Sequence, residues 1–434
     1  MLDKIKGGLS VGFFGLGKSN VSLISTLPLD RCDVTIRSDK EINPADIPQG
    51  AKVYTGKHAM DDIREDVLFL SPSVKRERFK GCHGVMLSSD YELFLSENKK
   101  PIFAVTGSDG KSTTTRLVSL LLRASGRVVS EVGNMGEPMV ARLSDECDMY
   151  VAELSSFMLD AAVPKAKMAV LTSLTPNHLD WHGSYENYKK TKISLLKSSE
   201  KFVISDENAD ITSAYGIVSM TRSFTELKRL YPAEIYLTCD GGYIRKNGKK
   251  LISLSDILRN ESHNIKNLML AIAMCDGYLG EDEIRSVAQS FQGLPHRCER
   301  FLRIGEIDFY DSSIDTSPAR TAQTLRSLDR RCVIILGGRG KGLDYGEMKD
   351  EIERYAHSAL LVGENKHEIY SVIKDVTDCY MADNLASAVD MGCAMAVDVG
   401  LLLLSPASAS YDMFKDFDER GRSYQKLVRQ RYGL

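Results

Sequence analysis

Ile102-Phe103-Ala104-Val105-Thr106-Gly107-Ser108-Asp109-Gly110-Lys111-Ser112-Thr113 is the stretch whose reading decides the fold. Its apolar start reads as a buried strand. The glycines, small polar residues and lysine that follow open a helix with Leu117, Val118, Leu120 and Leu121 on its apolar side. Gly126 suits the end of that helix, where a left-handed residue is commonly needed. A strand, a glycine turn and a helix N-terminus aim backbone amides, a lysine charge and the helix dipole at one point, and a polyphosphate is the ligand that uses all three. The loop is tighter than a strict P-loop, which would carry glycine where Val105 stands. Gly107 and Gly110 let the backbone approach a phosphate, with Ser108, Asp109 and Thr113 completing the loop. Lys111 is placed for the β- and γ-phosphates, and the Ser112 hydroxyl for Mg2+. The alternative is a glycine turn that merely starts a helix; the strand before it and the helix after it favour the phosphate site.

Composition bounds the rest. A chain of 434 residues exceeds one ordinary core and predicts two or three domains. With 43% hydrophobic and 26% charged residues it reads as a soluble globular protein. A formal charge of −3 gives no electrostatic case for nucleic acid or an anionic membrane. Nine scattered cysteines without a Cys-x-x-Cys pair argue for free thiols in the cytoplasm, not for disulfides or structural zinc. The opening residues carry no apolar segment of a signal peptide, and Leu401–Leu404 is a core strand by length, so no membrane insertion is expected.

Strand and helix signals alternate throughout, which predicts an α/β protein with mainly parallel sheets. Residues 1–97 open with Val11-Gly12-Phe13-Phe14-Gly15-Leu16-Gly17, a strand into a tight turn, with Asn20 where a dinucleotide fingerprint would place its third glycine. This stretch predicts a Rossmann-like domain that holds a diphosphate, with Gly15 and Leu16 at the turn. Residues 98–294 contain the phosphate loop, strands at 149–152 and 168–171, and a hairpin around Gly241-Gly242 and Lys246-Asn247-Gly248, as in a central P-loop ATPase-type domain. Residues 295–434, with strands at 332–336, 359–362 and 401–404, predict a second Rossmann-like domain at the C-terminus.

Ligands of open α/β sheets bind beyond the carboxyl ends of the strands. Glu153 follows one central strand and His178 another, so a parallel sheet puts both on the rim of the phosphate loop. A carboxylate and an imidazole beside a nucleotide suit Mg2+. Read singly, Glu153 is equally a capping or ion-pair residue and His178 a satisfied histidine. His178 and His182 have a zinc-like spacing, yet no third ligand accompanies them.

Further motifs extend along the chain in order: Gly133-Asn134-Met135-Gly136, Glu153-Leu154-Ser155-Ser156-Phe157, Thr175-Pro176-Asn177-His178-Leu179-Asp180, Tyr188 with Lys192, and His263-Asn264-Ile265-Lys266-Asn267. Beyond these come Gly293-Leu294-Pro295-His296-Arg297, Leu336-Gly337-Gly338 with Lys341, and Leu404-Ser405-Pro406-Ala407 with Phe414 and Phe417. With the phosphate loop, they make the chain resemble the Mur ligases of bacterial cell-wall synthesis from end to end. The resemblance implies an ATP-dependent carboxylate–amine ligase acting through an acyl phosphate. Within the family it is closest to the branch that joins D-glutamate to UDP-N-acetylmuramoyl-L-alanine, working in the cytoplasm and as a monomer. It implies two Mg2+ ions, held by Ser112, Glu153, His178 and a CO2-derived carbamate on Lys192; Lys111, Glu153, His178 and Lys192 are the expected catalytic group. Asn264, Asn267, His296, Arg297 and Asp311 match the family's nucleotide contacts. Asn134 and Ser155 fall near the muramoyl end of the substrate, and Arg37 and Ser71 near uracil. Lys341, Ser410, Phe417 and, more loosely, Thr316 match the contacts to D-glutamate. Without the family match, Lys192 would read as one solvated lysine beside Lys189 and Lys190.

Two positions depart from the family pattern. Ser313 stands where a lysine near the phosphates is usual, within a segment one residue longer, and Ser73 replaces a glycine after Ser71-Pro72. A sibling ligase with another acceptor, L-alanine-adding or folylpolyglutamate synthetase-like, would differ in the pocket of Lys341, Ser410 and Phe417. A binding protein without turnover would have the loss at Ser313 in its favour and the intact Lys111, Glu153, His178 and Lys192 against it.

Overall fold

The computed structural model describes residues 2–42, 47–72, 74–134, 138–208, 214–340 and 342–434. Among these, three sheets form, and the chain divides into two compact units, Met1–Phe291 and Gln292–Leu434.

The first sheet has β1 Ser10–Phe14, β2 Asp33–Ser38, β3 Lys52–Thr55, β4 Val67–Leu70 and β5 Met86–Ser88, all parallel, in the order β3-β2-β1-β4-β5. β1 and β4 are apolar and almost wholly buried because both faces of a parallel sheet are covered. The chain winds one way from β1 and then the other, so the crevice of the sheet opens beyond β1 and β4, where Gly15, Leu16 and Ser71 lie. Asn20 explains the missing third glycine. It is fully buried, and its Nδ2 donates to the carbonyls of Phe14 and Gly15 at 3.2 and 2.7 Å and to that of Phe69 at 3.2 Å, stitching the two turns together.

The second sheet has β6 Ile102–Thr106, β7 Val129–Gly133, β8 Met149–Glu153, β9 Met168–Leu171, β10 Lys201–Ser205, β11 Gly216–Ser219, β12 Ile235–Asp240, β13 Tyr243–Lys246 and β14 Lys249–Ser253. Their order is β14-β13-β12-β11-β10-β9-β6-β8-β7. The expected hairpin is real and adds two antiparallel strands, β13 and β14, to an otherwise parallel sheet. The helix Lys111–Ala124 packs Leu117, Val118 and Leu121 into the same core as Leu268 and Ile272 of the helix Ser262–Met274.

In the second unit, β15 Glu299–Ile304, β16 Ile307–Asp311, β17 Cys332–Leu336, β18 Ala356–Leu361, β19 Asp378–Met381 and β20 Leu401–Leu404 form a sheet of order β15-β16-β20-β17-β18-β19. β15 is antiparallel and the others parallel. The four leucines of β20 are buried at its centre. The segments leaving β16, β17 and β20 therefore emerge side by side, and those after β16 and β20 carry Thr316 and Ser410.

Candidate active site

Parallel pairing sets the rim of the second sheet. Val105 and Gly133 lie in register with Glu153, and Thr106 with Leu171, so the segments leaving β6, β7, β8 and β9 meet on one edge. The phosphate loop is braced from β9. Ser108 N donates to Ser173 O at 2.9 Å, Asp109 N to Ser173 Oγ at 2.8 Å, and Thr175 N to Ser108 Oγ at 2.9 Å. Ser108 Oγ also meets Tyr188 Oη at 2.9 Å. Ser108 and Asp109 thus spend these groups on shaping the loop. Thr114 N is the first helical amide with an intrahelical acceptor, Gly110 O, so the amides of Ser112 and Thr113 point out of the helix end, as an anion requires. Gly107 turns the chain with φ +151°. Gly110 has φ +79°, and a Cβ there would stand 2.5 Å from Asn267 Oδ1. No other residue fits both that backbone and that neighbour. Lys111 Nζ donates to Ser108 O at 2.7 Å, folded over the loop.

Glu153 ends β8 with 1% exposure. Its Oε1 accepts from Asn134 Nδ2 at 3.0 Å, while its Oε2 is buried without a partner. A buried carboxylate oxygen left unpaired is costly, and a divalent cation is the group that would satisfy it. Lys192 lies on the helix Tyr185–Ser198, also 1% exposed. Its Nζ donates to Thr106 Oγ1 at 3.2 Å and stands 4.9 Å from the centre of the Tyr188 ring. Burial first, and then the Lys111 charge, push the amine down to about 7 against the pull of Glu153. His178 is exposed, with φ +51° and its ring 4.8 Å from that of Phe157. Desolvation, with Lys111 and Lys192 adding to it over the opposing Asp180, lowers its pKa and favours the neutral imidazole that binds metals. His182 turns away into the protein against Phe157 and Tyr188. The donor set of Ser112, Glu153 and His178 fits Mg2+. Ser155 instead caps the helix Ser156–Ala161, its Oγ accepting from Met158 N at 3.2 Å.

Asn264 and Asn267 lie three residues apart on the helix Ser262–Met274; Asn267 closes over Gly110, and Asn264 Nδ2 donates to Glu261 Oε2 at 2.9 Å. In the first sheet, Ser71 Oγ donates to Gly15 O at 2.8 Å across the crevice. The Arg37 guanidinium is not available to uracil. It is 1% exposed and spends its donors on Glu65 Oε1 at 2.7 Å and on the carbonyls of Ala59, Asp61 and Asp62. Ser73 and Lys341 lie outside the described residues, as do Met135 and Gly136 of the motif around Asn134.

The second unit holds its polar groups closed. His296 Nδ1 meets Asp311 Oδ2 at 2.7 Å, and its Nε2 meets Asp418 Oδ1 at 3.0 Å. Burial is the largest influence on this imidazole and opposes its protonation, but the Asp311 hydrogen bond and the charges of Asp311, Asp418 and Glu299 together outweigh it and raise the pKa. Asp311 is fully buried and also accepts from Gln425 Nε2 at 2.9 Å and Ser313 N at 2.9 Å. Its carboxylate is thus spent inside the unit, not offered to a ribose. His296, Glu299 and Asp311 bring metal-type donors within 4.8 Å of one another, yet Gln425 Nε2 already bridges the two carboxylates. Arg297 is half-buried beside them.

Ser313 is fully buried; its Oγ donates to Phe417 O at 2.7 Å and accepts from Arg420 Nε at 3.0 Å. Among the described residues, the cation that reaches Ser313 is Arg420, 1% exposed, with its Nη1 buried and unpartnered. Thr316 is half-buried in the segment after β16, Ser410 is buried after β20, and Phe417 opens the helix Phe417–Arg431. Sequence reading missed Arg420, whose partner Ser313 lies 107 residues away and which carries no local motif, and it noted Asn20 only as the absence of a glycine, not as the clamp between the turns after β1 and β4.

Comparison with known proteins agrees with this arrangement. The Mur ligase middle domain family matches residues 105–275. The UDP-N-acetylmuramoylalanine–D-glutamate ligase of Clostridium tetani is 30% identical over 96% of this chain and 96% of its own length, and that of Clostridium beijerinckii 29% identical over 97% of each. Among solved structures, the UDP-N-acetylmuramate–alanine ligase MurC of Thermotoga maritima shares the fold with a TM-score of 0.60 at 16% identity, covering 98% of this chain and all of its own. The ligase MurF of Thermotoga maritima, solved with ADP, gives 0.53 at 14% identity, covering 99% and 97%. With a phosphate loop, a carboxylate and an imidazole on one rim and a relative alike along nearly its whole length, the chain belongs to the UDP-N-acetylmuramoylalanine–D-glutamate ligases of the Mur ligase family.

Proposed function

We propose that this chain joins the amine of D-glutamate to the alanine carboxylate of UDP-N-acetylmuramoyl-L-alanine at the expense of ATP, and that the rim of the second sheet is where the carboxylate is activated. The chain is an ATP-dependent amide-bond ligase of peptidoglycan synthesis, using ATP and Mg2+. The observation that carries the reading is its similarity to D-glutamate ligases over 96% of its length.

A carboxylate is a poor acyl donor, so it first takes the γ-phosphoryl group; the D-glutamate amine then attacks the carbonyl and phosphate leaves. Such transfers depend on positioning and charge stabilisation. Lys111 and the amides of the first helical turn hold the phosphates. Ser112 and Glu153 would hold one Mg2+ and His178 the second. Bound Mg2+ supplies charge neutralisation between a triphosphate and a carboxylate that would otherwise repel. Lys192 would join the metal group as a carbamate: an ammonium cannot ligate a cation, while a carbamate offers two anionic oxygens. Two features support this, the neutral amine that its burial favours and the unpartnered Glu153 Oε2 nearby in charge terms.

The three sheets divide the substrates. Residues 1–97 take the UDP-sugar at Gly15, Leu16 and Ser71, with Asn134 at its far end. Residues 98–294 take ATP at Gly107 to Thr113, with Asn264 and Asn267; the family resemblance also assigns nucleotide contacts to His296 and Arg297. Residues 295–434 take D-glutamate at Thr316, Lys341, Ser410 and Phe417. No helix among the described residues is long and apolar enough to cross a membrane. Nine free cysteines support a reducing cytoplasm as the place of action.

The test is ATP-dependent phosphate release with UDP-N-acetylmuramoyl-L-alanine, offering D-glutamate, L-glutamate, L-alanine, L-lysine and meso-diaminopimelate separately, with Mg2+ and bicarbonate. Release with D-glutamate and a UDP-linked dipeptide product is expected. Release with a different amine would move the chain to a sibling ligase, and no release despite ATP binding would leave a binding protein.

A further inference from the structure

We propose that Asn365 is a positioning residue for the acceptor amino acid, clasping the segments that leave β17, β18 and β20 into one register. The proposal rests on the reading that D-glutamate binds at the rim of the third sheet.

Asn365 precedes the helix Lys366–Ile373 and would ordinarily cap it, but its side chain makes no capping bond. It is 6% exposed and turned to the rim instead. Its Oδ1 accepts from Gly338 N at 2.9 Å, and its Nδ2 donates to Ser408 Oγ at 2.7 Å and Tyr345 Oη at 2.5 Å. Its own backbone N donates to Gly338 O at 3.1 Å. One amide, on the segment after β18, therefore uses its acceptor and both its donors on the segments after β17 and β20. Gly338 follows β17 and Ser408 follows β20, and the two segments are drawn together further by Gly337 N to Pro406 O at 2.8 Å and Arg339 N to Ala409 O at 2.9 Å. Gly338 has φ +149°, and a Cβ there would collide with Ala409 O, so the approach is as close as backbones allow.

Apolar packing would hold these segments at lower risk, because a buried polar cluster is costly whenever one member is unpaired. What the amide adds is direction: it sets where the chain leaves β17 at Gly338 and where it leaves β20 at Ser408, two residues before Ser410. The apolar core of the unit is built by β16, β17, β18 and β20, and the amide meets it only through the Tyr345 hydroxyl. Loss of the clasp should loosen acceptor recognition before it loosens the fold.

The experiment measures KM for D-glutamate, ATP and UDP-N-acetylmuramoyl-L-alanine, together with thermal unfolding, for full-length Asn365→Ala, Ser408→Ala, the double variant, and Ser410→Ala. Asn365→Ala is expected to raise KM for D-glutamate about tenfold while kcat and the other two KM values change less than about threefold, the scale of one or two hydrogen bonds. Ser408→Ala is expected to raise it about threefold, and the double variant no more than Asn365→Ala, since residues in one network do not add. If Asn365→Ala does not fold, Ser408→Ala and Tyr345→Phe carry the test. An unchanged KM for D-glutamate in these variants, or an equal rise in all three KM values, overturns the proposal. An unchanged KM in Ser410→Ala overturns the rim as acceptor site, and the proposal with it.

Discussion

Arg37 and Lys192 are both long cations, both 1% exposed, and both lie against the end of a parallel sheet, yet they are opposite kinds of residue. Arg37 pairs with Glu65 at 2.7 Å, spends its other donors on three carbonyls and lies 4.4 Å from the Tyr54 ring centre. Lys192 has a single hydrogen bond, to a threonine hydroxyl, and the carboxylate that favours its charge keeps one oxygen unpartnered. Burial that is fully compensated marks a strut. Burial left uncompensated is paid for elsewhere in the fold and marks a site that awaits something. Sequence reading put both residues in ligand sites; partner counting separates them.

The sharpest way to break the comparison is to remove each cation. Lys192→Ala should lower kcat by about 1,000-fold, the scale for losing a preorganised charge-stabilising group, without a fall in the urea midpoint. A variant that keeps ligating at near the normal rate would end the reading of Lys192 as part of the metal site. Arg37→Leu should act on the fold instead. It strands Glu65 as a buried charge, at a cost of about 3–5 kcal/mol, and Arg37→Leu with Glu65→Leu should recover most of the loss. Retained stability in the single variant, with a selective loss of UDP-sugar affinity, would restore Arg37 to the uracil site.

A pH experiment sharpens the same contrast. The Lys192 amine, held down to about 7 in the folded protein against 10.5 ordinarily, is mostly charged below that value and mostly neutral above it. Only the neutral amine adds CO2. At fixed dissolved 13CO2, a carbamate signal in the 13C NMR spectrum should therefore grow as pH rises through about 7 and be missing from Lys192→Ala. A signal that first appears near the pH of an ordinary lysine would mean that the site does not activate the amine.

These contrasts explain what was legible in the sequence. The strand, loop and helix at 102–124 were readable because the spacing of a few neighbours carries the motif. Glu153 and His178 could be placed on the same rim because parallel strands end together. Arg37 was misread because its partners, at 59, 61, 62 and 65, are ordinary residues of a segment with no signal of its own. The β15–β16 pair was missed because β15 has only half-buried and exposed residues, without regular alternation, and its core partner lies across Gly305. Ser313 read as a loss of charge, whereas the fold brings Arg420 to it from 107 residues away.

The smallest expected effect tests how far the open site depends on its closed surroundings. Tyr188 touches both: its Oη meets Ser108 Oγ at 2.9 Å in the phosphate loop, and its ring faces Lys192. Tyr188→Phe keeps the ring and deletes only the hydroxyl. Ser108 Oγ retains Thr175 as a partner through Thr175 N and Thr175 O, so it is not orphaned, and the loss should be about 1 kcal/mol. Because the ring beside Lys192 is unchanged, the carbamate signal and its pH dependence should stay as in the parent, while KM for ATP rises about threefold from a looser loop. If the carbamate signal falls instead, the hydroxyl acts on the amine and not only on the loop. The division between a braced loop and an open metal site would then be drawn one residue too far from Lys192.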